Sequence, residues 1–328
     1  MPKALVMGCN GQDGTYLSRL LLEKGYEVAG TSRTGDRGPA GVAFSMIDVC
    51  NREDMAGLVA WFRPDEVYFL AAYHHSSEST TGRVDSLVRR SLEVNTLALN
   101  DLLHTVVTTV PAAKVFYAAS SRVFGMPPEE PQTEATPMNP KCAYGISKAA
   151  GVQVCRFYRE SMGVHASTGI LYNHESPIRS GEFVSRKIVR GAIAIKRGLA
   201  SELVLADLDA TVDWGYAPDF AEAMWRIAGL DIPGDFVVAT GRLHSVRDFA
   251  AAAFRPLGLD WRDYVKPSGR RDGAGEKKVP LRGDSSSLRQ RTGWQPGISF
   301  EDMVALMVEA ELAGGVAGGT PDPREYRA

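Results

Sequence analysis

Lys3-Ala-Leu-Val-Met7, Gly8-Cys-Asn-Gly11-Gln-Asp-Gly14 and Tyr16-Leu-Ser-Arg-Leu-Leu-Leu22 decide how this chain folds. The first is an apolar run of strand length, the second a glycine turn, the third an apolar stripe at helical spacing that Gly25 stops. Strand, glycine turn and helix in that order aim backbone N–H groups and a helix N-terminus at one point, where a pyrophosphate can be held. The glycines fall as GxxGxxG, not GxGxxG. The expectation is an α/β fold, a Rossmann doubly wound parallel sheet, with Gly8, Gly11, Gln12, Asp13 and Gly14 at a dinucleotide.

Working outward, Glu27-Val-Ala-Gly-Thr31 is a second strand ending in Ser32-Arg33. An acidic residue there would take the ribose hydroxyls of NAD, whereas a guanidinium suits a 2′-phosphate, so Arg33 predicts NADP. Val42 to Met46 is a third strand, with Asp48 and Val49 following where adenine would lie. Arg52 to Phe62 reads as a helix capped by Asn51. Asp65-Glu-Val-Tyr-Phe-Leu70 is a fourth strand, and Leu70 and Ala71 at its end complete the expected cofactor wall. The polar loop beyond it runs from Tyr73 to Thr81 and carries His74, His75, Glu78 and Ser79. In a doubly wound sheet, ligands bind outside this carboxyl end of the strands. Val88 to Val107 reads as one long helix containing Asn95, and Lys114 to Ala119 as a fifth strand that delivers Ser120-Ser121-Arg122 to the same edge.

Cys142-Ala-Tyr144-Gly-Ile-Ser-Lys148 opens a helix read from Tyr144 to Glu160, whose spacing puts the phenol and the ammonium on one face. A lysine beside a tyrosine favours the phenolate, so Tyr144 is expected to act as a base nearer neutrality than its reference pKa of about 10. Ser120 can hydrogen-bond both a substrate hydroxyl and that phenol. Ser120, Tyr144 and Lys148 therefore form a catalytic set on one sheet edge.

The totals narrow the function. Across 328 residues, 37 Lys and Arg against 39 Asp and Glu leave a net charge of -2, which argues against generic nucleic-acid binding. The four cysteines (Cys9, Cys50, Cys142, Cys155) show no zinc-like spacing, and His74 with His75 lack further ligands nearby, so no metal is expected. No apolar stretch reaches membrane-spanning length, and the N-terminus runs into a strand without a signal-peptide pattern. A cytoplasmic protein with reduced thiols is expected.

Over nearly its full length the sequence resembles the extended short-chain dehydrogenase/reductase family, most of all the GDP-mannose 4,6-dehydratases. The resemblance rests on Gly11 to Leu17, Leu21 to Val28, Pro64 to Tyr68, Gly169-Ile-Leu-Tyr-Asn-His-Glu-Ser-Pro177, Phe183 to Ile188, Asp213-Trp-Gly215, Val237 to Gly241 and Ser245-Val-Arg247. It implies that Tyr144 is the base, Ser120 the active-site hydroxyl, and Lys148 the residue that stabilises phenolate and binds ribose. Asn173 is implied to meet substrate phosphate or sugar, Arg186 and Lys187 the nucleotide, and Glu175 either to orient its loop or to take part in chemistry. Ser79, Ser121 and Arg122 are read as substrate contacts. The resemblance also implies a homodimer or homotetramer, built in the family through helices such as Leu97 to Val107.

Two departures bear on mechanism. The family's Glu at the end of the fifth strand, its base for removing a carbon-bound proton, is Arg122 here, and a guanidinium stays protonated at any working pH. The family's Arg before the Asp-Trp pair is Val212, with Arg270 and Arg271 as compensating cations. Glu78 is read either as a replacement base or as a solvated loop carboxylate. The expected function is an NADP-dependent sugar dehydratase acting on a nucleotide sugar or on a nucleoside-type substrate without the usual diphosphate contacts. An epimerase is the second reading and a non-enzymatic NADP-binding homologue the third. Residues 1–170 are expected to bind NADP and 171–313 to form a smaller mixed α/β substrate portion interleaved with them. Residues 314–328 read as a disordered tail.

Overall fold

The apolar run at the start forms strand β1 (Lys3–Met7), the middle of the main sheet. A computed structural model describes residues 1–35, 37–74, 84–268 and 280–314. Glu78, Ser79, His75, Arg270, Arg271 and the tail from 315 onward lie outside the described residues.

Helix α1 (Gln12–Glu23) follows the glycine turn, then β2 (Glu27–Ser32), β3 (Ala43–Met46), α2 (Arg52–Phe62) and β4 (Glu66–Phe69). Helices α3 (Val84–Leu92) and α4 (Ala98–Thr109) lead to β5 (Lys114–Ser120), and α5 (Ala143–Met162) to β6 (Ala166–Leu171). The rest of the chain supplies β7 (Asn173–Glu175), α6 (Val184–Lys196), β8 (Leu203–Leu205), β9 (Thr211–Tyr216), α7 (Ala217–Gly229), β10 (Asp235–Val238), β11 (Leu243–Ser245), α8 (Val246–Phe254), α9 (Trp261–Tyr264), β12 (Val265–Pro267), α10 (Ser286–Thr292) and α11 (Phe300–Leu312).

The main sheet has seven strands in the order β10-β6-β5-β4-β1-β2-β3. Every pairing in it is parallel. Strands buried on both faces need unbroken apolar runs, and β4 shows one, with all four residues buried. Chain order reverses between β1 and β4, the switch point outside which such sheets bind ligands. The register is level there. Met7 pairs with Thr31 on one side and with Phe69 on the other, and Phe69 pairs with Tyr117. The residues that follow (Gly8, Ser32, Leu70, Ala118) therefore emerge on one edge.

A three-stranded sheet, β11-β9-β7, and the pair β12-β8 lie outside the main sheet. They pack with α6, α8 and α11 around a separate core that includes Ile188, Trp214, Phe249 and Met307. Strand β10, from this later part of the chain, hydrogen-bonds to β6 and extends the main sheet.

The run from Val88 to Val107 is not one regular helix. A π-helical turn, Glu93–Leu97, separates α3 from α4. Such a turn inserts an extra residue and rotates the side chains around it. Here it buries Asn95 completely.

Candidate active site

Three structural devices bring the catalytic candidates together. Gly151 lets α5 lie on β5, since a Cβ there would stand 2.3 Å from the Tyr117 hydroxyl. Gly145 does the same at the helix start, where a Cβ would come 2.6 Å from the Arg122 carbonyl oxygen. The Cys142 thiol accepts a hydrogen bond from the Gly145 N–H and caps α5. Tyr144 is thereby held against the end of β5, and its phenol hydrogen-bonds the Ser120 side chain.

Lys148 is buried beneath this pair, 1% exposed, and donates to the Ala118 carbonyl at 2.7 Å. Its ammonium lies 4.8 Å from the Tyr117 ring centre and 5.7 Å from that of Tyr144. Burial lowers its pKa to about 7, only partly opposed by the Asp13 charge. The phenol moves the other way. Burial and the Asp13 charge push Tyr144 up to about 12, against Arg179 and the Ser120 hydrogen bond. In the protein alone Tyr144 is therefore a protonated phenol, not the phenolate that a neighbouring lysine suggests, because desolvation outweighs the attraction.

Asn95 ties the site together. Its carbonyl accepts from the Tyr73 N–H at 2.8 Å, and its amide donates to the Tyr73 carbonyl at 3.1 Å and to the Ser147 hydroxyl at 2.9 Å. Ser147 donates in turn to the Tyr144 carbonyl at 2.9 Å. One buried amide thus fixes both the end of β4 and the first turn of α5. The next residue, His74, sets its ring edge-on to Tyr144 with centroids 4.7 Å apart and stacks on Phe183 at 5.4 Å.

A second network joins the glycine turn to the loop after β6. His174 Nε2 lies 2.9 Å from the Asp13 carboxylate, and Nδ1 lies 2.7 Å from the Tyr172 carbonyl. Both partners are acceptors only, so both ring nitrogens donate and His174 is an imidazolium. Burial opposes that charge, but Asp13 raises the pKa of His174. Burial also opposes the Asp13 charge, yet His174, Arg179 and Gln12 hold its carboxyl down at about 2. Gln12 donates to the His174 carbonyl at 3.0 Å and accepts from Ser176 at 2.7 Å.

Every residue expected at the dinucleotide outside the catalytic pair (Gly8, Gly11, Gln12, Asp13, Gly14, Arg33, Asp48, Val49, Leu70 and Ala71) lines one cavity of about 320 Å³. The cradle fits a pyrophosphate. A Cβ at Gly14 would stand 2.2 Å from the Gly8 carbonyl oxygen, and one at Gly8, where φ is +91°, 2.9 Å from the Ala71 nitrogen. Only glycine lets the backbone close this far. Asp48 accepts from the Cys50 N–H and pairs with Arg90 at 3.3 Å.

The substrate candidates are dispersed. Ser121 is buried and Arg122 exposed, with the Arg122 N–H donating to Ser120 Oγ at 3.3 Å. Asn173 and Lys187 are half-buried. Arg186 is 3% exposed and lies 2.8 Å from the Glu311 carboxylate, and it does not line the cavity. Glu175 is buried, accepts from the Ser185 hydroxyl at 2.6 Å and pairs with Arg179 at 3.2 Å. The buried Asp213 accepts from Thr240, Gly241 and Gly283 and so staples the smaller lobe to the sheet edge.

The sequence named Asn95 only as part of its helix and His174 only within a family stretch, and it gave no role to either or to Arg179. Asn95 is a polar residue in an apolar helical run, which is a visible signal. Arg179 lines the cavity and covers the Phe183 ring at 3.5 Å, and only proximity to the Asn173–Pro177 stretch pointed to it.

Fold and site define an extended short-chain dehydrogenase/reductase. The GDP-mannose 4,6 dehydratase family model matches residues 5–307. GDP-mannose 4,6 dehydratase 1 of Arabidopsis thaliana is 37% identical over 326 residues, covering 94% of this chain and 89% of its own. Among solved structures, the Thermus thermophilus UDP-glucose 4-epimerase in complex with NAD superposes with a TM-score of 0.81 at 26% identity, over 96% of this chain and 100% of that one. RMD from Pseudomonas aeruginosa complexed with NADPH shares the fold, with a TM-score of 0.79 at 21% identity, over 94% and 98%. The chain belongs to the GDP-mannose 4,6-dehydratase family, and with it to the dehydratase class of lyases that work with a nicotinamide cofactor.

Proposed function

We propose that this protein is an NADP-dependent dehydratase acting on the hexose of a nucleotide sugar. The observation that carries the reading is that the carboxyl end of β5 and the first turns of α5 bring together a hydroxyl, a phenol and a buried ammonium (Ser120, Tyr144, Lys148), the ammonium 5.7 Å from the Tyr144 ring centre. When bound, the nicotinamide supplies the hydride acceptor, later the donor, and in its oxidised form a positive charge.

With a bound oxidised cofactor's positive charge favouring the phenolate, Tyr144 gives its resting proton to solvent and then takes the proton of a sugar hydroxyl while Ser120 holds that oxygen. Arg179 favours the transient phenolate. The phenol so formed gives its proton to solvent before the next turnover. The intermediate ketone acidifies the neighbouring C–H, a base removes that proton, and the hydroxyl one carbon further leaves. Gly8, Gly11, Gly14 and the start of α1 hold the pyrophosphate, with Gln12 and Asp13 braced by His174. Asp48 and Val49 meet the adenine, and Leu70 and Ala71 close the wall. Arg33, where the end of β2 reads Ser32-Arg33 and not an acidic residue, takes the 2′-phosphate, which is why NADP is favoured. Asn173 and Lys187 face the substrate side. Glu175 orients Arg179.

Exposed Leu97, Ile146, Phe157 and Met162 around α4 and α5 support a homodimer or homotetramer. The four free thiols support a cytoplasmic location. Among the described residues no helix is long and apolar enough to cross a membrane.

Epimerisation is the second reading, favoured by Arg122, because inversion through a ketone needs no base at the end of β5. The test is incubation with NADP and a panel of GDP-, UDP- and dTDP-hexoses and free nucleosides, GDP-mannose first. A product lighter by one water supports dehydration. An isomer of unchanged mass supports the epimerase.

A further inference from the structure

We propose that Asn10 sets the choice of cofactor, as the positioning residue that holds Arg33 in place for the 2′-phosphate. The inference rests on the NADP reading above and deepens it. A guanidinium on a long side chain discriminates only as well as the loop beneath it is fixed.

Asn10 belongs to the glycine turn, yet its side chain serves the loop after β2. Its Nδ2 donates to the Thr34 carbonyl and to the Arg37 carbonyl, each at 3.2 Å. Both partners only accept, so the amide can face them in one orientation, and Oδ1 is left to accept from the Cys9 thiol at 3.6 Å. One amide thus ties two carbonyls of the Arg33 loop to the turn between Gly8 and Gly11. Gly35 leaves room for it. Its φ is +96°, and a Cβ there would stand 2.8 Å from Asn10 Nδ2.

Arg33 is therefore held from both sides. The Ser32 Oγ accepts from the Thr34 N–H at 3.4 Å, spanning Arg33, and the Asn10 amide fixes Thr34 and Arg37 beyond it. Ser32, Arg33 and Thr34 all line the dinucleotide cavity, whereas Asn10 does not. The amide acts on a cofactor through Arg33 and not by touching it. The turn that carries Asn10 is anchored on β2 as well, since the Gly8 and Cys9 N–H groups both donate to the Thr31 carbonyl, at 2.8 and 3.0 Å. Pyrophosphate cradle and Arg33 backbone so share one frame. A dinucleotide whose pyrophosphate rests on the turn meets Arg33 at a set distance, which favours a phosphate on its ribose and adds nothing for a bare hydroxyl.

Few side chains could do this. The position needs two donors on one short stem. Alanine has none, aspartate has the same shape but only acceptors, and serine or threonine has a single donor on a shorter stem.

The test titrates NADP(H) and NAD(H) by calorimetry into the full chain as wild type, Asn10→Ala, Arg33→Ala and the double variant. Asn10→Ala should weaken NADP(H) roughly fivefold or more and leave NAD(H) within about twofold of wild type. In the Arg33→Ala background the same change should cost less than about twofold, because the guanidinium through which the amide acts is gone. If Asn10→Ala folds poorly, Asn10→Ser is read on the same ratios. Equal losses for the two cofactors overturn the proposal, since the amide would then serve the glycine turn as a whole. A further loss of roughly fivefold in the double variant also overturns it, as does NADP(H) affinity within about twofold of wild type in Asn10→Ala. An Arg33→Ala variant that prefers NADP(H) as strongly as wild type would overturn the 2′-phosphate reading itself, and the proposal with it.

Discussion

The two halves of the sheet edge are built by different means. Beside β1 and β2 the site is backbone. Gly8, Gly11 and Gly14 bring peptide groups so close that a Cβ would collide, and recognition is shape plus a helix N-terminus. Beside β4 and β5 the site is side chains, held by bonds between residues far apart in sequence, such as Asn95 to Ser147 and Lys148 to Ala118. On the first side a substitution attacks the fold and the cofactor together. On the second it can remove chemistry and leave the fold intact.

The largest effect should fall on the side-chain half. Tyr144→Phe keeps the ring packing but removes the proton carrier, so turnover should drop about 10²–10⁴-fold with NADP(H) affinity nearly unchanged. Steady-state kinetics and calorimetry together check this, and a matching loss of affinity would erase the contrast between the halves. Next comes Arg33→Ala, which should cost about 1.5–3 kcal/mol in NADP(H) binding and leave NAD(H) affinity in place. An equal loss for both cofactors would remove the 2′-phosphate assignment. Gly14→Ala, with its Cβ 2.2 Å from the Gly8 carbonyl, should lower stability by about 1–3 kcal/mol and weaken cofactor binding in step. Denaturant unfolding beside calorimetry measures both.

The buried lysine supplies a pH test of the side-chain half. Its pKa of about 7 lies below the ordinary 10.5, so between those values the unfolded chain binds more protons than the folded one. Stability of the cofactor-free protein should therefore rise from pH 7 to about 7.5, about one unit below the ordinary thiol pKa of about 8.5. Lys148→Met should flatten that rise. A melting temperature that instead falls over this window would mean that Lys148 is not desolvated as described. The smallest effect belongs to Gly57 in α2, where a Cβ meets nothing within 4 Å. Gly57→Ala should stabilise by about 0.5–1 kcal/mol with activity unchanged, the opposite sign to Gly14→Ala.

The same division governs what could be read from sequence. Strand β1, the glycine turn, α1 and the Asn51-capped α2 follow from local pattern, and all appear with bounds close to those expected. Arg33 and the strand ends were placed on one edge because parallel register carries them there. The π turn at Glu93–Leu97 left no periodicity signal, and the inward rotation of Asn95 depends on it. The upward shift of Tyr144 was missed for a different reason. Spacing shows that Lys148 is near, but the depth of burial that reverses the expected direction is a property of the packed site. His174 as an imidazolium likewise needs both acceptors in place, one of them on α1.

The central claim is that Tyr144, Ser120 and Lys148 drive a transient oxidation that ends in loss of water. It is tested most directly with a nucleotide hexose carrying deuterium on the carbon whose hydroxyl is oxidised, converted in ordinary water with catalytic NADP. The expected product is lighter by one water and retains the deuterium, now on the carbon that lost its hydroxyl. A product of unchanged mass, or one whose deuterium has passed to solvent, would contradict it.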